Sequence, residues 1–235
     1  MTKNYIIFGG SGDLGKRLST ALLSLDHTNV WSSYKTENRD IEGIPFYFDA
    51  EKGLSPDILK EFSKIHIDGL VYLVGVKSSK RLIRETSLKE WEELIDINAL
   101  SFLRVYNQLY SVLRDSGTKI VVVSSSAPYE NKRLNGAYSG SKALLESICL
   151  TIAKEEQENG IKINIIAPSL IDTKLAREIV KMKGYDDFEQ YVTTCLNGKI
   201  LKTTDVIKTI YELLSDETNS NISGQIIRLG DYDSK

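Results

Sequence analysis

The chain has 235 residues, 41% hydrophobic and 26% charged, enough for one sizeable core and ordinary for a soluble globular protein. A formal net charge of −2 gives no bulk electrostatic reason to bind nucleic acid or an anionic membrane. Two cysteines, Cys149 and Cys195, make no disulfide framework and suit a reducing cytoplasm, while the isolated His27 and His66 argue against a metal site or a Ser-His-Asp hydrolase.

Met1-Thr2-Lys3-Asn4 leads directly into a strand without the pattern of a signal peptide, and no apolar run approaches the roughly 18 residues of a membrane span. Tyr5-Ile6-Ile7-Phe8 reads as a short buried strand. The run Gly9-Gly10-Ser11-Gly12-Asp13-Leu14-Gly15 turns it into a helix expected from about Asp13 to Leu25. Backbone N–H groups in such a turn can approach a diphosphate at the positive end of a helix. Two glycine spacings fit the same residues, Gly10-x-Gly12-x-x-Gly15 and Gly9-x-x-Gly12-x-x-Gly15. Asp13 is favourable at a helix N-terminus, yet its carboxylate would repel a diphosphate, so its side chain is expected to turn away.

The second strand is expected from about Asn29 to Tyr34. An NAD-specific fold places Asp or Glu at its end to accept from the ribose hydroxyls. This chain offers Ser32-Ser33-Tyr34-Lys35-Thr36 instead. Lys35 and the neighbouring hydroxyls suit a phosphate, which favours NADP(H) and leaves NAD(H) open. Arg39 is a second phosphate candidate, and Asp40 a displaced ribose acceptor. A short polar loop leads to Ile44-Pro45-Phe46-Tyr47-Phe48, so the usual crossover helix is expected to be shrunken or absent.

A helix at about Ser55 to Lys64 precedes a fourth strand, Gly69 to Val74. A long helix at about Leu88 to Leu113 carries a polar Asn98 inside an apolar pattern. Lys119-Ile120-Val121-Val122-Val123 is a buried β-branched strand that ends in Ser124-Ser125-Ser126. Its carboxyl end should face the crevice where doubly wound sheets bind ligands. Residues 127–135 form a loop into a helix at about Tyr138 to Asn159. Ile163 to Pro168 is the sixth strand, Thr204 to Leu214 a helix, and Ile222 to Gly230 closes the sheet as a seventh strand.

Tyr138 and Lys142 are four residues apart, so a helix projects both from one face. An ammonium close to a phenol stabilises the phenolate, which makes Tyr138 a candidate proton donor or acceptor near neutral pH. Ser125 lies thirteen residues upstream at the strand end; Ser124 and Ser126 share the opposite strand face and remain alternative hydroxyls.

With Asn98, Ser125, Tyr138 and Lys142 at this spacing, the sequence resembles the short-chain dehydrogenase/reductase family over essentially its whole length. The resemblance implies a single Rossmann-like α/β domain over residues 1–235, a doubly wound seven-stranded parallel sheet with helices on both faces. It departs from the short single-domain type, which usually carries Gly-x-x-x-Gly-x-Gly and would put glycine at Asp13. The Gly9/Gly12/Gly15 spacing is more typical of the longer, nucleotide-sugar-modifying branch.

By the same resemblance, Asp49 and Ala50 contact adenine, and Gly75 lets the backbone pass close to the cofactor ribose after Val74. Where the family commonly has Asn-Asn-Ala-Gly this chain has Tyr72-Leu73-Val74-Gly75, so another residue must brace the sheet there. Pro168, Ile171 and Thr173 keep a Pro-x-x-x-x-Thr pattern; Ile171 would contact the nicotinamide carboxamide, and Thr173 that group or the phosphates. Residues 174–197, interrupted at Gly184, occupy the place of the substrate lid. The helices at about 88–113 and 138–159 would pack against those of neighbouring subunits in a homodimer or homotetramer.

The function implied is an NADP(H)-dependent oxidoreductase acting on a small-molecule or carrier-bound carbonyl or alcohol, without nucleic-acid or membrane partners. Ser125 would polarise the carbonyl, Tyr138 exchange its proton, Lys142 bind the ribose and lower the tyrosine pKa, and Asn98 hold a relay water in a locally distorted helix. The glycine spacing keeps a nucleotide-sugar epimerase or dehydratase open, although only about sixty residues follow Pro168. Asp13 and the altered 72–75 run keep open a non-catalytic dinucleotide sensor.

Overall fold

The computed structural model describes residues 2–36, 41–182, 184–194, 200–215 and 222–230. Apolar runs with no polar face fold as strands covered on both sides. In β1 (Lys3–Phe8) every residue from Asn4 onward is buried. Side chains alternate between faces, so Ile6 and Phe8 enter one core while Tyr5 and Ile7 enter the other. Leu70 and Tyr72 part in the same way from Val71 in β4 (Gly69–Tyr72), as do Ile120 and Val122 from Val121 in β5 (Lys119–Val123).

With β2 (Thr28–Tyr34), β3 (Ile44–Tyr47), β6 (Lys162–Pro168) and β7 (Ile226–Leu229), these form one seven-stranded sheet in the order β3-β2-β1-β4-β5-β6-β7. Every pairing is parallel. One core is covered by α2 (Pro56–Phe62), α4 (Ser101–Ser116) and α6 (Gly136–Glu155), through Phe62, Phe102, Leu109, Leu145 and Cys149. The other lies under α1 (Asp13–Leu23) and α9 (Thr203–Leu214), through Leu18, Leu22, Val206 and Ile210. The chain runs outward from β1 through β2 and β3, then returns to the far side of β1 as β4. At that switch the loops leaving β1 and β4 part and open a crevice at the carboxyl ends of the strands.

Two stretches differ from the sequence reading, and a third, the helical lid segment interrupted at Gly184, follows it. The long helix expected over 88–113 is α3 (Leu88–Ile95), a five-residue π-helical turn at Asp96–Leu100, and α4. The widened turn is where Asn98 leaves the helical pattern to bond another segment. The loop 127–135 contains a short helix, α5 (Ala127–Glu130), with Pro128 in its first turn. The lid segment is two helices, α7 (Lys174–Met182) and α8 (Phe188–Thr193), parted near Gly184, whose φ of +86° ends helical continuity. Its last residues, with Cys195, lie outside the described residues. Between β2 and β3 the described residues contain no helix, and Arg39 and Asp40 lie outside them.

Tyr72 stands where the family has its bracing Asn. Its ring packs 5.6 Å from Phe8 and 5.3 Å from Phe102, and its hydroxyl meets Ser101 Oγ at 2.5 Å. The tie joins β4 to the start of α4, just beyond the π-helical turn.

Candidate active site

The glycine turn is held by contacts that exclude larger side chains. Gly9 has φ +88°, and a Cβ there would lie 3.1 Å from Leu73 Cβ. A Cβ on Gly15 would lie 2.2 Å from Gly9 O, so the first turn of α1 sits directly on the loop. The Gly9 N–H donates to Ser33 Oγ at 2.8 Å, the Ser11 N–H to Ser33 O at 3.2 Å, and the Gly12 N–H to Gly9 O at 3.2 Å. Ser32 Oγ pairs with Ser19 Oγ at 2.8 Å. The Ser32 and Ser33 hydroxyls are therefore buried and used to brace the turn. That corrects their expected part in holding a phosphate, which leaves Tyr34, Lys35 and Thr36 at the strand end.

Asp13 does more than turn aside. Its carboxylate reaches from the first turn of α1 to the first turn of α7, where the Lys174 N–H donates to Oδ2 at 2.7 Å. It thus links the glycine turn to the lid helix. Beyond the end of β2, Lys35 Nζ lies 3.3 Å from Asp49 Oδ1 and 3.6 Å from Glu51 Oε2. Partial burial pulls the Lys35 pKa down, but Asp49 and Glu51 outweigh it and the net direction is up. Desolvation pushes the Asp49 carboxyl up, and the Glu51 N–H with Lys35 brings it below the usual range. Ala50 is buried beside it, and its carbonyl accepts from Arg104 Nη1 at 3.1 Å.

On the far side of the switch, the end of β5 and the start of α6 meet. Ser124 Oγ donates to Glu146 Oε1 at 2.6 Å and is buried. Ser125 Oγ accepts from the Ala127 N–H at 3.2 Å. Of the three serines, Ser125 is the one close enough to the Tyr138 phenol to pull its pKa down. Lys142, one turn further along α6, is 3% exposed, and its Nζ donates to Val123 O at 3.3 Å. Asn98, fully buried in the π-helical turn, accepts from the Val76 N–H at 2.7 Å. Its Nδ2 donates to Val76 O at 3.1 Å and to Ser141 Oγ at 3.0 Å. Gly75 joins these groups: a Cβ there would lie 3.1 Å from Lys142 Nζ and 3.3 Å from Asn98 Oδ1.

Burial pulls the Lys142 ammonium down to about 8, with the Glu146 charge opposing it. Burial pushes the Tyr138 phenol up, opposed by the hydrogen bond to Ser125. The expected lowering of Tyr138 by Lys142 is thus not found. Desolvation of the phenolate dominates, and Lys142 Nζ is directed at the Val123 carbonyl. A phenol in this state holds its proton and can donate it.

Ser125, Tyr138 and Lys142 line a cavity of about 650 Å³ together with Leu14, Gly75, Pro168, Ile171 and Thr173. Thr173 Oγ1 accepts from the Ala176 N–H at 3.2 Å and so caps α7, while Ile171 bridges to Leu201. Val74 packs on the sheet core just before Gly75. At Gly9, Gly10 and Gly15 the turn has no room for a Cβ, and a strand–turn–helix packed this closely fits a dinucleotide.

The sequence reading missed Glu146. It is buried, accepts from Ser124 and from the Tyr129 hydroxyl at 2.6 Å, and so fixes both ends of the segment that presents Ser125. Its signal was available: 138, 142 and 146 repeat at four-residue spacing along one helix face. Tyr129 in turn lies under the Arg228 guanidinium, 3.8 Å from its ring centroid.

A family model described as enoyl-(acyl carrier protein) reductase matches residues 52–229. The chain is 26% identical over 238 residues to the 3-oxoacyl-(acyl-carrier-protein) reductase FabG of Buchnera aphidicola, covering 97% of this chain and 95% of that protein. It is 30% identical over 186 residues to an uncharacterized NAD-dependent oxidoreductase of Mycobacterium tuberculosis, covering 76% of this chain and 66% of that one. Among solved structures, ElxO with NADP bound matches with a TM-score of 0.87 at 24% identity over the whole of both chains.

Proposed function

The chain belongs to the short-chain dehydrogenase/reductase family and is an NAD(P)-dependent oxidoreductase; on that premise we propose that it interconverts a carbonyl and an alcohol using NADP(H), with Tyr138 as general acid and base. The observation that carries the reading is the convergence of Ser125, Tyr138 and Lys142 on one crevice, with Asn98 buried behind Gly75.

When bound, the nicotinamide supplies or takes up the hydride. Ser125 donates its hydroxyl proton in a hydrogen bond to the substrate oxygen and fixes its position, with the phenol beside it. Tyr138 then delivers the phenolic proton to the oxygen as negative charge develops there. Burial holds the pKa of Lys142, one turn along the same helix, at about 8, so this side chain can release a proton near neutral pH to restore the phenol. Asn98 has both amide atoms tied to Val76 and Ser141, so it holds the backbone beside Lys142 open for a proton path to solvent. For alcohol oxidation the same steps run in reverse.

Lys35 supports the NADP(H) preference, and the NADP-bound state of the similar ElxO structure supports it further. A 2′-phosphate would replace Asp49 and Glu51 as the partner of Lys35. The test is NADPH-dependent turnover of a broad carbonyl panel, with NADH alongside and Tyr138→Phe as control. Turnover that depends on Tyr138 is expected. None by the wild-type protein, or turnover that Tyr138→Phe leaves intact, would refute the reading.

A further inference from the structure

Glu146 is buried on α6, one turn beyond Lys142, and the chemistry described above leaves it unused. Each of its carboxylate oxygens accepts from a hydroxyl, Oε1 from Ser124 and Oε2 from Tyr129, both at 2.6 Å. A group that accepts two such protons and donates none behaves as a carboxylate. Ser124 directly follows β5 and Tyr129 lies on α5, so the two bonds grip the chain on either side of Ser125. Lys142 reaches the same strand end, where its Nζ donates to Val123 O, the residue before Ser124. A charge buried this deeply is costly unless hydrogen bonds and an opposite charge compensate it, and here the two hydroxyls and Lys142 do so.

The elements packed on α6 bring few other titratable groups to this pair. The π-helical turn faces Lys142 with the neutral Asn98, α3 meets the start of α6 through Trp91, and Ile163 and Ile165 of β6 share the core with Leu145 and Cys149. On α5, burial and the Glu146 bond push the Tyr129 phenol up to about 12, and Arg228 of β7 stacks over its ring. Burial also raises the Tyr138 phenol and the Cys149 thiol on α6 itself. None of the three gives up its proton near pH 8, where Lys142 does.

We propose that Glu146 is a positioning residue of the reaction: it holds Ser125 at the cavity by tying both flanks of its segment, and it places a negative charge one helical turn from Lys142. The inference rests on the reductase reading above and adds to it a residue that does not itself line the cavity. Without that charge nothing on this face of α6 opposes the effect of burial, and the Lys142 ammonium gives up its proton at lower pH.

The test follows NADPH oxidation with para-nitrobenzaldehyde, or the fastest carbonyl of a wider panel, as a function of pH in the full chain. Loss of turnover on the alkaline side reports deprotonation of Lys142. Glu146→Gln keeps the shape and removes the charge. It is expected to lower kcat by about tenfold or more and to move the alkaline limb down by about half a pH unit or more. Glu146→Asp keeps the charge on a shorter arm, so it should lose rate while the limb stays near its wild-type place. Tyr129→Phe removes one hydrogen bond and leaves the charge, and kcat should fall about three- to tenfold with the limb unmoved. That variant carries the test alone should Glu146→Gln not fold. An unmoved limb in Glu146→Gln, or wild-type kcat in Tyr129→Phe, overturns the proposal and leaves the reductase reading standing. Turnover of no carbonyl by the wild type removes both.

Discussion

At the end of the crevice that holds Tyr138, each polar group answers to a partner on a rigid element, whereas beyond the end of β2 Lys35, Asp49 and Glu51 answer mainly to one another. Asn98 is tied to Val76 and Ser141, Lys142 to the end of β5, and Ser125 to the start of α5. Asn98 and Lys142 are buried, and Ser125 and Tyr138 are half-buried. Lys35, by contrast, has a side chain 56% exposed, in a loop whose continuation at Arg39 and Asp40 lies outside the described residues. Chemistry depends on placement to a fraction of an ångström and is built from buried contacts. Lys35 and Glu51 at the other end are solvated charges, each worth little.

The sharpest contrast is between substitutions at the two ends. Ser125→Ala and Lys142→Met are each expected to lower kcat by about a hundredfold or more at saturating cofactor, measured as initial rates of NADPH oxidation. Losses under about tenfold would place the proton path elsewhere. Lys35→Ala is expected to leave kcat near the wild-type value and to cut the preference for NADPH over NADH by only about three- to tenfold, as befits an exposed, screened charge. A loss of turnover in that variant would break the division between the two ends.

Asp13 joins the halves, and its effect should be smaller again. Asp13→Asn keeps an acceptor for the Lys174 N–H but removes the negative charge near the glycine turn. Dinucleotide affinity, read by calorimetry, is expected to rise by about two- to fivefold. A fall would mean that the carboxylate helps cofactor binding.

The smallest effect is on stability. Burial holds the Lys142 pKa at about 8 against an ordinary 10.5. Between those values the unfolded chain keeps a proton that the folded chain has released. Stability should therefore rise with pH from about 8 upward, by at most roughly 1 kcal/mol per pH unit from this group. Denaturant midpoints of wild type and Lys142→Met, compared across that window, isolate it. The variant should lack the rise, and parallel curves would contradict the shift.

The same two ends differ in how legible they were. The strand–turn–helix at Gly9–Gly15, the parallel sheet and the spacing of Ser125, Tyr138 and Lys142 follow from local patterns, because glycine spacing, β-branched runs and helical periodicity are properties of adjacent residues. The partners of Ser32, Ser33 and Asp13 are not: each bonds an element far along the chain, and no local pattern reports such a contact. The direction of the Tyr138 shift was misjudged for a related reason. Helical spacing places Lys142 near the phenol but says nothing of burial, which dominates.

The most direct measurement is single-turnover hydride transfer with NADPH already bound, in wild type and in Tyr138→Phe at equal cofactor occupancy. The phenol's role as proton donor predicts a loss of about a hundredfold or more in the variant with little change in NADPH affinity. Hydride transfer at the wild-type rate without that hydroxyl would contradict it.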